Sequence, residues 1–146
     1  MNETRGRVLG LDYGSKTVGV AVSDPLRVIA QGVEIIRRKE ENHLRATYRR
    51  IASLAEEYEV SEIVLGLPLN MDDTKGERAE KTLLFARELE ARLHLTVHLA
   101  DERLTTVEAE EAMHLQGVDR RDYKEYVDSI AAAIILQDWL NQNGNH

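Results

Sequence analysis

No cysteine occurs among the 146 residues, which excludes a disulfide-stapled scaffold and a zinc site built from thiolates. Aromatic residues make up only 5% of the chain and form no cluster typical of a surface that stacks single-stranded bases. Apolar stretches are far shorter than the roughly 18 residues that a membrane span requires, and residues 1–6 lack the apolar core of a signal peptide. We therefore expect a cytoplasmic protein with no membrane partner.

The net charge of −7 argues against a protein that coats nucleic acid through bulk electrostatics. The charges are nevertheless unevenly distributed along the chain. Residues 37–50 carry six basic against two acidic side chains, whereas residues 101–128 carry nine acidic against four basic. The basic segment suits contact with a phosphate backbone, although an ordinary solvated helix face would carry the same arginines.

Strand patterns dominate the first quarter of the chain. β-rich runs at 8–13 and 17–23 flank the sequence Gly-Ser-Lys at 14–16, which predicts a tight hairpin. A third strand is expected at 28–36, with a bulge at Gly32. These patterns predict three consecutive antiparallel strands.

Helical and strand patterns alternate over the rest of the chain. The expected elements are a helix at 41–58, a strand at 62–67, a helix from a Thr74–Glu77 capping box to Leu93, a strand at 95–100, a helix from a Thr105–Glu108 capping box to Gly117, and a last helix at 123–140. This order predicts an α/β fold whose sheet mixes antiparallel and parallel pairs. The length suits one domain, residues 1–140, with a polar tail at 141–146.

Asp12 is an acidic residue inside an apolar run, near the end of the first predicted strand. A carboxylate left unpaired among apolar neighbours is costly, which favours a functional role. Aspartate next to a turn also accepts hydrogen bonds from backbone amides, so a structural role in the hairpin is the alternative.

Glu102 directly follows the predicted strand at 95–100. Ligands of open α/β sheets gather beyond the carboxyl ends of parallel strands, which is where this residue falls. The ordinary alternative is a loop carboxylate paired with Arg103.

Asp128 lies in the otherwise apolar early part of the last predicted helix. Ala131 and Ala132 follow it by one turn, and their small side chains favour a close approach of this helix to the sheet. Alternatively, Asp128 is a first-turn acid that stabilises the helix dipole and pairs with Lys124.

Taken together, the three acids predict a metal site. Carboxylates brought close together repel one another unless a cation is bound. A ligand set of oxygens, without histidine or cysteine, selects Mg²⁺ or Mn²⁺. Two such ions roughly 3.5–4 Å apart can align an attacking water and a leaving oxygen at a phosphodiester. The expected chemistry is therefore metal-dependent hydrolysis of nucleic acid.

Four blocks of the sequence resemble the YqgF family of pre-16S ribosomal RNA nucleases, which is also called Holliday-junction-resolvase-like. The blocks are LGLDYGSKTVGVAVSD at 9–24, IVLGLPLNMD at 63–72, DERLTTVEA at 101–109 and VDSIAAAIIL at 127–136. They occur in the order that is typical of the family and span nearly the whole chain. The family often has glycine where this chain has Asp73.

This resemblance implies an RNase H-like fold with a five-stranded mixed sheet flanked by helices. It also implies a metal-dependent catalytic triad at Asp12, Glu102 and Asp128, the residues selected above. The expected function is hydrolysis of phosphodiester bonds in 5′-end maturation of pre-16S ribosomal RNA.

Three further residues are candidates for contacting nucleic acid. Lys16 in the hairpin and Arg103 beside Glu102 are placed to touch phosphates near the metals. Asn70 belongs to a loop at the same end of the sheet. Alternatively, Lys16 is a solvated side chain, Arg103 forms an ion pair with Glu102, and Asn70 is a turn residue.

Alternative functions remain compatible with these motifs. The same chemistry could act on branched DNA, as in a Holliday-junction resolvase. A non-catalytic factor of the ribosome or of transcription would use only the basic segment. Residues 12–17 also resemble the phosphate hairpin of actin-like and sugar-kinase-like folds, but those proteins clamp nucleotide between two such domains and this length supplies one.

Overall fold

The computed structural model describes residues 6–68, 76–102 and 123–143, without the side chains of Glu102 and of residues 123–129. The elements in these ranges are β1 (Arg7–Tyr13), β2 (Thr17–Ser23), β3 (Ala30–Arg37), α1 (Arg45–Glu57), β4 (Val60–Pro68), α2 (Glu77–Leu93), β5 (Thr96–Glu102) and α3 (Tyr123–Asn143). The helix predicted from Thr105 to Gly117 lies outside the described residues.

The five strands form one mixed sheet in the order β3-β2-β1-β4-β5. β2 pairs antiparallel with both β1 and β3, whereas β4 pairs parallel with β1 and with β5. The predicted α/β fold with a mixed sheet is confirmed. The hairpin is confirmed as well, because the Gly14 N–H donates a hydrogen bond of 2.7 Å to the Thr17 carbonyl.

The bulge predicted at Gly32 is also present. Val20 pairs with Glu34 but the next residue, Ala21, pairs with Gly32, so Val33 is the extra residue in β3. β3 begins at Ala30, two residues later than predicted. The reason is local, because the N–H groups of Val28 and Ile29 bind the Asp24 carboxylate at 2.7 and 2.8 Å instead of joining the sheet.

Helices cover both faces of the sheet. On one face, Leu9 and Leu11 of β1 pack into a core with α1 and α2, which contribute Ile51 and Phe85 among others. On the opposite face, α3 packs Ala132 and Leu136 against Val8 of β1 and Val64 of β4. Alternate residues of β1 therefore point to different helices. None of the helices in the described ranges is long and apolar enough to span a membrane.

The ends of α2 and α3 differ from expectation. The N-cap of α2 is Gly76, without a side-chain capping bond, so α2 does not begin at Thr74 as the predicted capping box requires. Thr74 itself lies outside the described residues. The extended backbone of Gly76 suits an N-cap, and Glu77 in the first turn complements the helix dipole. α3 continues to Asn143, into the predicted tail, where the Asn143 side chain donates to the Trp139 carbonyl at 3.2 Å.

Gly10 allows α3 to lie directly on β1. A β-carbon at Gly10 would lie 2.7 Å from the Leu136 Cβ and 3.1 Å from the Ala132 carbonyl oxygen. These atoms belong to backbone or sit next to it and cannot rotate away. We expect Gly10→Ala to lower the free energy of unfolding by about 1–3 kcal/mol, as overpacked cores do. Urea denaturation measures this change, and unaltered stability would contradict the close approach.

A polar network joins the start of β4 to β5 and to the β2–β3 connection. The Arg27 guanidinium donates hydrogen bonds to the Gly6 carbonyl at 3.0 Å, to the Ser61 hydroxyl at 2.9 Å, and to the Glu62 carboxylate. The other Glu62 oxygen lies 2.8 Å from Nε2 of His98. Burial raises the pKa of Glu62, but hydrogen bonds from His98 and Arg27 outweigh it and leave the pKa below its usual value.

This lowered pKa predicts an acid-dependent loss of stability. A carboxyl group whose pKa is lower in the folded state stabilises the protein above its unfolded pKa, about 4.3, and loses that contribution as pH falls. Glu62→Gln should therefore be less stable than wild type at pH 5, and the difference should shrink towards pH 3. Urea denaturation across this range tests it. A constant difference would show that the Glu62 charge contributes nothing.

Candidate active site

Asp12 is the next-to-last residue of β1 and lies opposite Gly19 of β2. It is half-buried, whereas its neighbours Leu11 and Tyr13 are buried. Strand alternation places Asp12 on the same face as Val8 and Gly10, which is the face covered by α3. The structure therefore presents this carboxylate beside α3, away from the core beneath α1 and α2.

Glu102 is the last residue of β5, opposite Pro68 of β4. The prediction that Glu102 lies just beyond a strand ending at residue 100 is therefore wrong. β5 extends two residues further, because its parallel pairing with β4 continues to Glu102. Position 102 has the same strand parity as His98 and Ala100. The His98 ring lies 5.0 Å from the Trp139 ring of α3, and Ala100 packs against the α3 core.

Asp128 lies in α3, one turn before Ala132. Near the other end of this helix, the Gln137 side chain accepts a hydrogen bond of 2.9 Å from the N–H of Ala30, at the start of β3. β3 runs parallel to β1, so Gln137 is near the amino edge of the sheet, while Ala132 contacts Gly10 in the middle of β1. The helix direction therefore carries the backbone of residue 128 towards the carboxyl end of β1.

The fold thus brings the three predicted positions to one edge and one face of the sheet. Asp12, Glu102 and Asp128 come from β1, β5 and α3, separated by up to 116 positions in sequence. Among the described side chains, no group of three histidine or acidic residues is placed to hold a metal ion. The side chains of Glu102 and Asp128 lie outside that part, so their role as ligands stays a prediction. Their oxygen-only chemistry fits Mg²⁺ or Mn²⁺.

Of the three residues predicted to contact nucleic acid, the structure describes only Lys16. Lys16 is exposed in the hairpin that follows Asp12, and its carbonyl accepts a hydrogen bond of 2.9 Å from the Arg38 N–H. Asn70 and Arg103 lie outside the described residues.

Two arginines meet near this edge: Arg38 belongs to the basic segment 37–50, whereas Arg78 was not selected from the sequence. The guanidinium carbons of Arg38 and Arg78 lie 5.0 and 4.6 Å from the centroid of the Tyr13 ring. Burial lowers the pKa of Arg38, and the neighbouring charge of Arg78 lowers it further. Sequence spacing could not have paired them, because they are 40 positions apart and belong to different elements.

Two arginines of the basic segment, Arg45 and Arg49, line a groove between α1 and α2. Arg50 is bound by Glu34 through two hydrogen bonds of 2.7 and 2.9 Å. Arg45 and Arg49 are exposed and form no ion pair with the described residues. Together with Arg92 they line a groove of about 380 Å³. This groove lies on the face of the sheet opposite to α3.

Comparison with known proteins gives long and specific matches. A protein of Agathobacter rectalis named "Putative pre-16S rRNA nuclease" is 55% identical, over 95% of this chain and 97% of its own length. A protein of Listeria monocytogenes with the same name is 51% identical, over 92% of this chain and 97% of its own length.

A solved structure shares the architecture. The RuvC protein of T. thermophilus, in complex with a Holliday junction substrate, superimposes with a TM-score of 0.59 and covers 97% of this chain and 98% of its own. Its sequence identity is 12%, so this match concerns the fold alone. It confirms the predicted RNase H-like fold.

A sequence model of the RuvX family, described as Holliday junction resolvase, matches residues 6–142. That range includes all four blocks from which the family was identified and all the elements of the sheet. By this match and by its close relatives, the chain belongs to the RuvX family of Holliday junction resolvase-like proteins.

Proposed function

We propose that this protein is a metal-dependent nuclease that hydrolyses phosphodiester bonds in precursor 16S ribosomal RNA, in maturation of its 5′ end in the cytoplasm. The observation that carries the proposal is the placement of Asp12 on the α3 face, at the carboxyl edge of the sheet. The backbone of β5 and α3 brings positions 102 and 128 to this edge. The names of the closely similar relatives support the choice of RNA.

Asp12, Glu102 and Asp128 would hold Mg²⁺ or Mn²⁺ through carboxylate oxygens. When bound, such ions stabilise developing charge on the phosphate and lower the pKa of a bound water. The chain itself positions the carboxylates on two strands and a helix, which are more rigid than loops. It also supplies the phosphate contacts proposed for Lys16, Asn70 and Arg103, which neutralise the backbone near the acidic site.

Branched DNA is the second candidate substrate, because the matching family is described as Holliday junction resolvase. Both substrates require the same hydrolysis, so the catalytic residues do not distinguish them. They differ in shape and in the 2′-hydroxyl group, which only RNA carries.

Cleavage assays would test both substrates. A 5′-extended fragment of 16S ribosomal RNA precursor and a four-way DNA junction would each be incubated with Mg²⁺, Mn²⁺ or EDTA. We expect RNA cleavage that needs a divalent ion and is lost in Glu102→Gln and Asp128→Asn proteins that fold normally. Equal cleavage by wild type and variants would identify a contaminant. Cleavage of the junction alone would favour the resolvase, and binding without cleavage of either would refute the nuclease.

We expect the groove arginines to contribute affinity rather than stability. Arg45 is the first residue of α1, where the helix dipole disfavours a cation, and Arg49 follows one turn later, where the two like charges repel each other. The double variant Arg45→Gln/Arg49→Gln should therefore keep or raise Tm. Its RNA affinity should fall, with the slope of log K against log salt reduced by about 0.7 for each lost phosphate contact.

Fluorescence anisotropy at several salt concentrations measures this slope. Arg87→Gln is the control, because Arg87 is an exposed arginine of α2 that does not line the groove. An unchanged slope in the double variant would show that nucleic acid does not use this groove.

A further inference from the structure

Tyr13 is the centre of a cluster of rings and cations at the carboxyl edge of the sheet. Its ring stacks on Phe85 with centroids 4.1 Å apart and an angle of 7° between the planes. The Arg38 and Arg78 guanidinium groups lie 5.0 and 4.6 Å from the same ring. The two positively charged groups repel each other, and their cation–π contacts with the ring only partly offset this repulsion.

The hydrogen bonding of these two arginines is incomplete. Arg38 donates through Nη2 to the Gly14 carbonyl at 2.6 Å and through Nε to the Glu41 carbonyl at 3.0 Å. Arg78 donates through Nη1 to the Glu41 carboxylate at 2.9 Å. Three buried nitrogens, Nη1 of Arg38 and both Nε and Nη2 of Arg78, have no hydrogen-bond partner in the described part of the chain. Buried donors in native proteins are almost always paired, so these three nitrogens favour an acceptor beyond the described residues.

The charge at this position is also unbalanced. Glu41 is the carboxylate that binds Arg78, and it binds Lys81 as well, at 3.1 Å. Glu77, which is largely exposed, also lies 3.4 Å from Lys81, so among the described side chains of this cluster three cations face two anions. An anionic group with several acceptor oxygens would pair the free nitrogens and balance the charge.

We propose that Arg38 and Arg78 form a phosphate-binding site that anchors the nucleic-acid backbone next to the scissile position. This inference rests on the proposed function for the identity of the phosphate. Tyr13 directly follows Asp12 but faces α1 and α2, and Arg38 is tied to the hairpin through Gly14. A nucleic-acid backbone that crosses the carboxyl edge of β1 thus meets the predicted carboxylates on the α3 face of the sheet. It then meets Arg38 and Arg78 on the face covered by α1 and α2.

Arginine is the residue type that this role requires. The planar guanidinium group presents parallel N–H donors that match two oxygens of one phosphate, whereas lysine offers a single point of charge. Both arginines are held in position by bonds that leave donors free, so the site is preorganised.

Binding measurements without metal would test the site separately from hydrolysis. The proteins would be wild type, Arg38→Met, Arg78→Met and the exposed control Arg87→Met. Methionine keeps an apolar chain over the Tyr13 ring but removes the guanidinium. The probe is a fluorescent 20-nucleotide single-stranded RNA, titrated in EDTA at several salt concentrations. Each variant at the site should bind more weakly, with a salt slope lower by about 0.7, and the control should match wild type more closely.

Unchanged slopes in folded Arg38→Met and Arg78→Met would overturn the proposal and leave only packing on Tyr13. If either methionine variant does not fold, Arg78→Lys decides, because it keeps the charge and should still lose affinity. A further outcome concerns free phosphate. If inorganic phosphate raises the Tm of wild type but not of Arg78→Met, and the salt slopes for RNA are equal, the site binds free phosphate. That result would overturn its role in binding the nucleic-acid backbone. Altered slopes in a protein that cleaves nothing would refute the nuclease and leave this site standing.

Discussion

Asp12→Asn should abolish cleavage while leaving the fold intact. Asparagine has the same shape as aspartate but lacks the charge that holds a divalent cation. The loss of several kcal/mol of transition-state stabilisation corresponds to a decrease in kcat of about 10³-fold or more, since each 1.36 kcal/mol is a factor of ten. Cleavage of the RNA precursor fragment under single-turnover conditions measures this rate.

Asp138→Asn is the matched control for this variant. Asp138 is an exposed acid of α3 whose carboxylate accepts a hydrogen bond of 3.3 Å from Gln142, in the half of α3 nearer the amino edge of the sheet. It removes the same charge from the protein without touching the carboxyl edge. Wild-type cleavage by Asp138→Asn and none by Asp12→Asn would place the effect in the site. Substantial cleavage by Asp12→Asn would refute the predicted triad.

Arg27→Met should have the largest effect on stability. Arg27 is 6% exposed and donates to three groups, the Gly6 carbonyl, the Ser61 hydroxyl and the Glu62 carboxylate. Removing one partner of a buried ion pair costs about 3–5 kcal/mol, and the partial exposure of Glu62 favours the lower end of this range. We therefore expect the free energy of unfolding to fall by about 3 kcal/mol in urea denaturation.

Ser61→Ala provides a graded comparison, because it removes only one of the three acceptors and should cost about 1 kcal/mol. The network lies at the amino edge of the sheet, at the starts of β1 and β4, whereas Asp12 lies at the carboxyl edge. Below its own Tm, folded Arg27→Met should therefore cleave RNA at the wild-type rate. A loss of activity without a loss of stability would contradict a purely structural role for this network.

The Asp12 and Arg27 variants are expected to show that catalysis and stability depend on opposite edges of the sheet. Asp12→Asn is expected to fold and not to cleave, and Arg27→Met is expected to cleave and to unfold easily. This separation follows from the parallel arrangement of β1, β4 and β5, which gathers functional groups at their carboxyl ends and leaves the amino ends for structural contacts.

Local patterns were sufficient to predict most of the strands. The hairpin after β1 and the bulge at Gly32 are dictated by neighbouring residues, so composition over a few positions identifies them. Asp12 was identifiable for a related reason, since a carboxylate in an apolar strand stands out against its immediate neighbours. The start of α2 was missed because an N-cap glycine without a side-chain bond has a weaker pattern than Thr74 followed by Glu77.

The sequence by itself determined the α/β class, the order of the strands along the chain, the family and the acidic residues selected for the site. Only the tertiary structure decided which distant residues meet. Arg38 and Arg78 around Tyr13, and Arg27 with Glu62 and His98, come together through sheet order and helix packing. Periodicity reports which face of an element is buried, but the partner across that face is selected by packing of the whole chain.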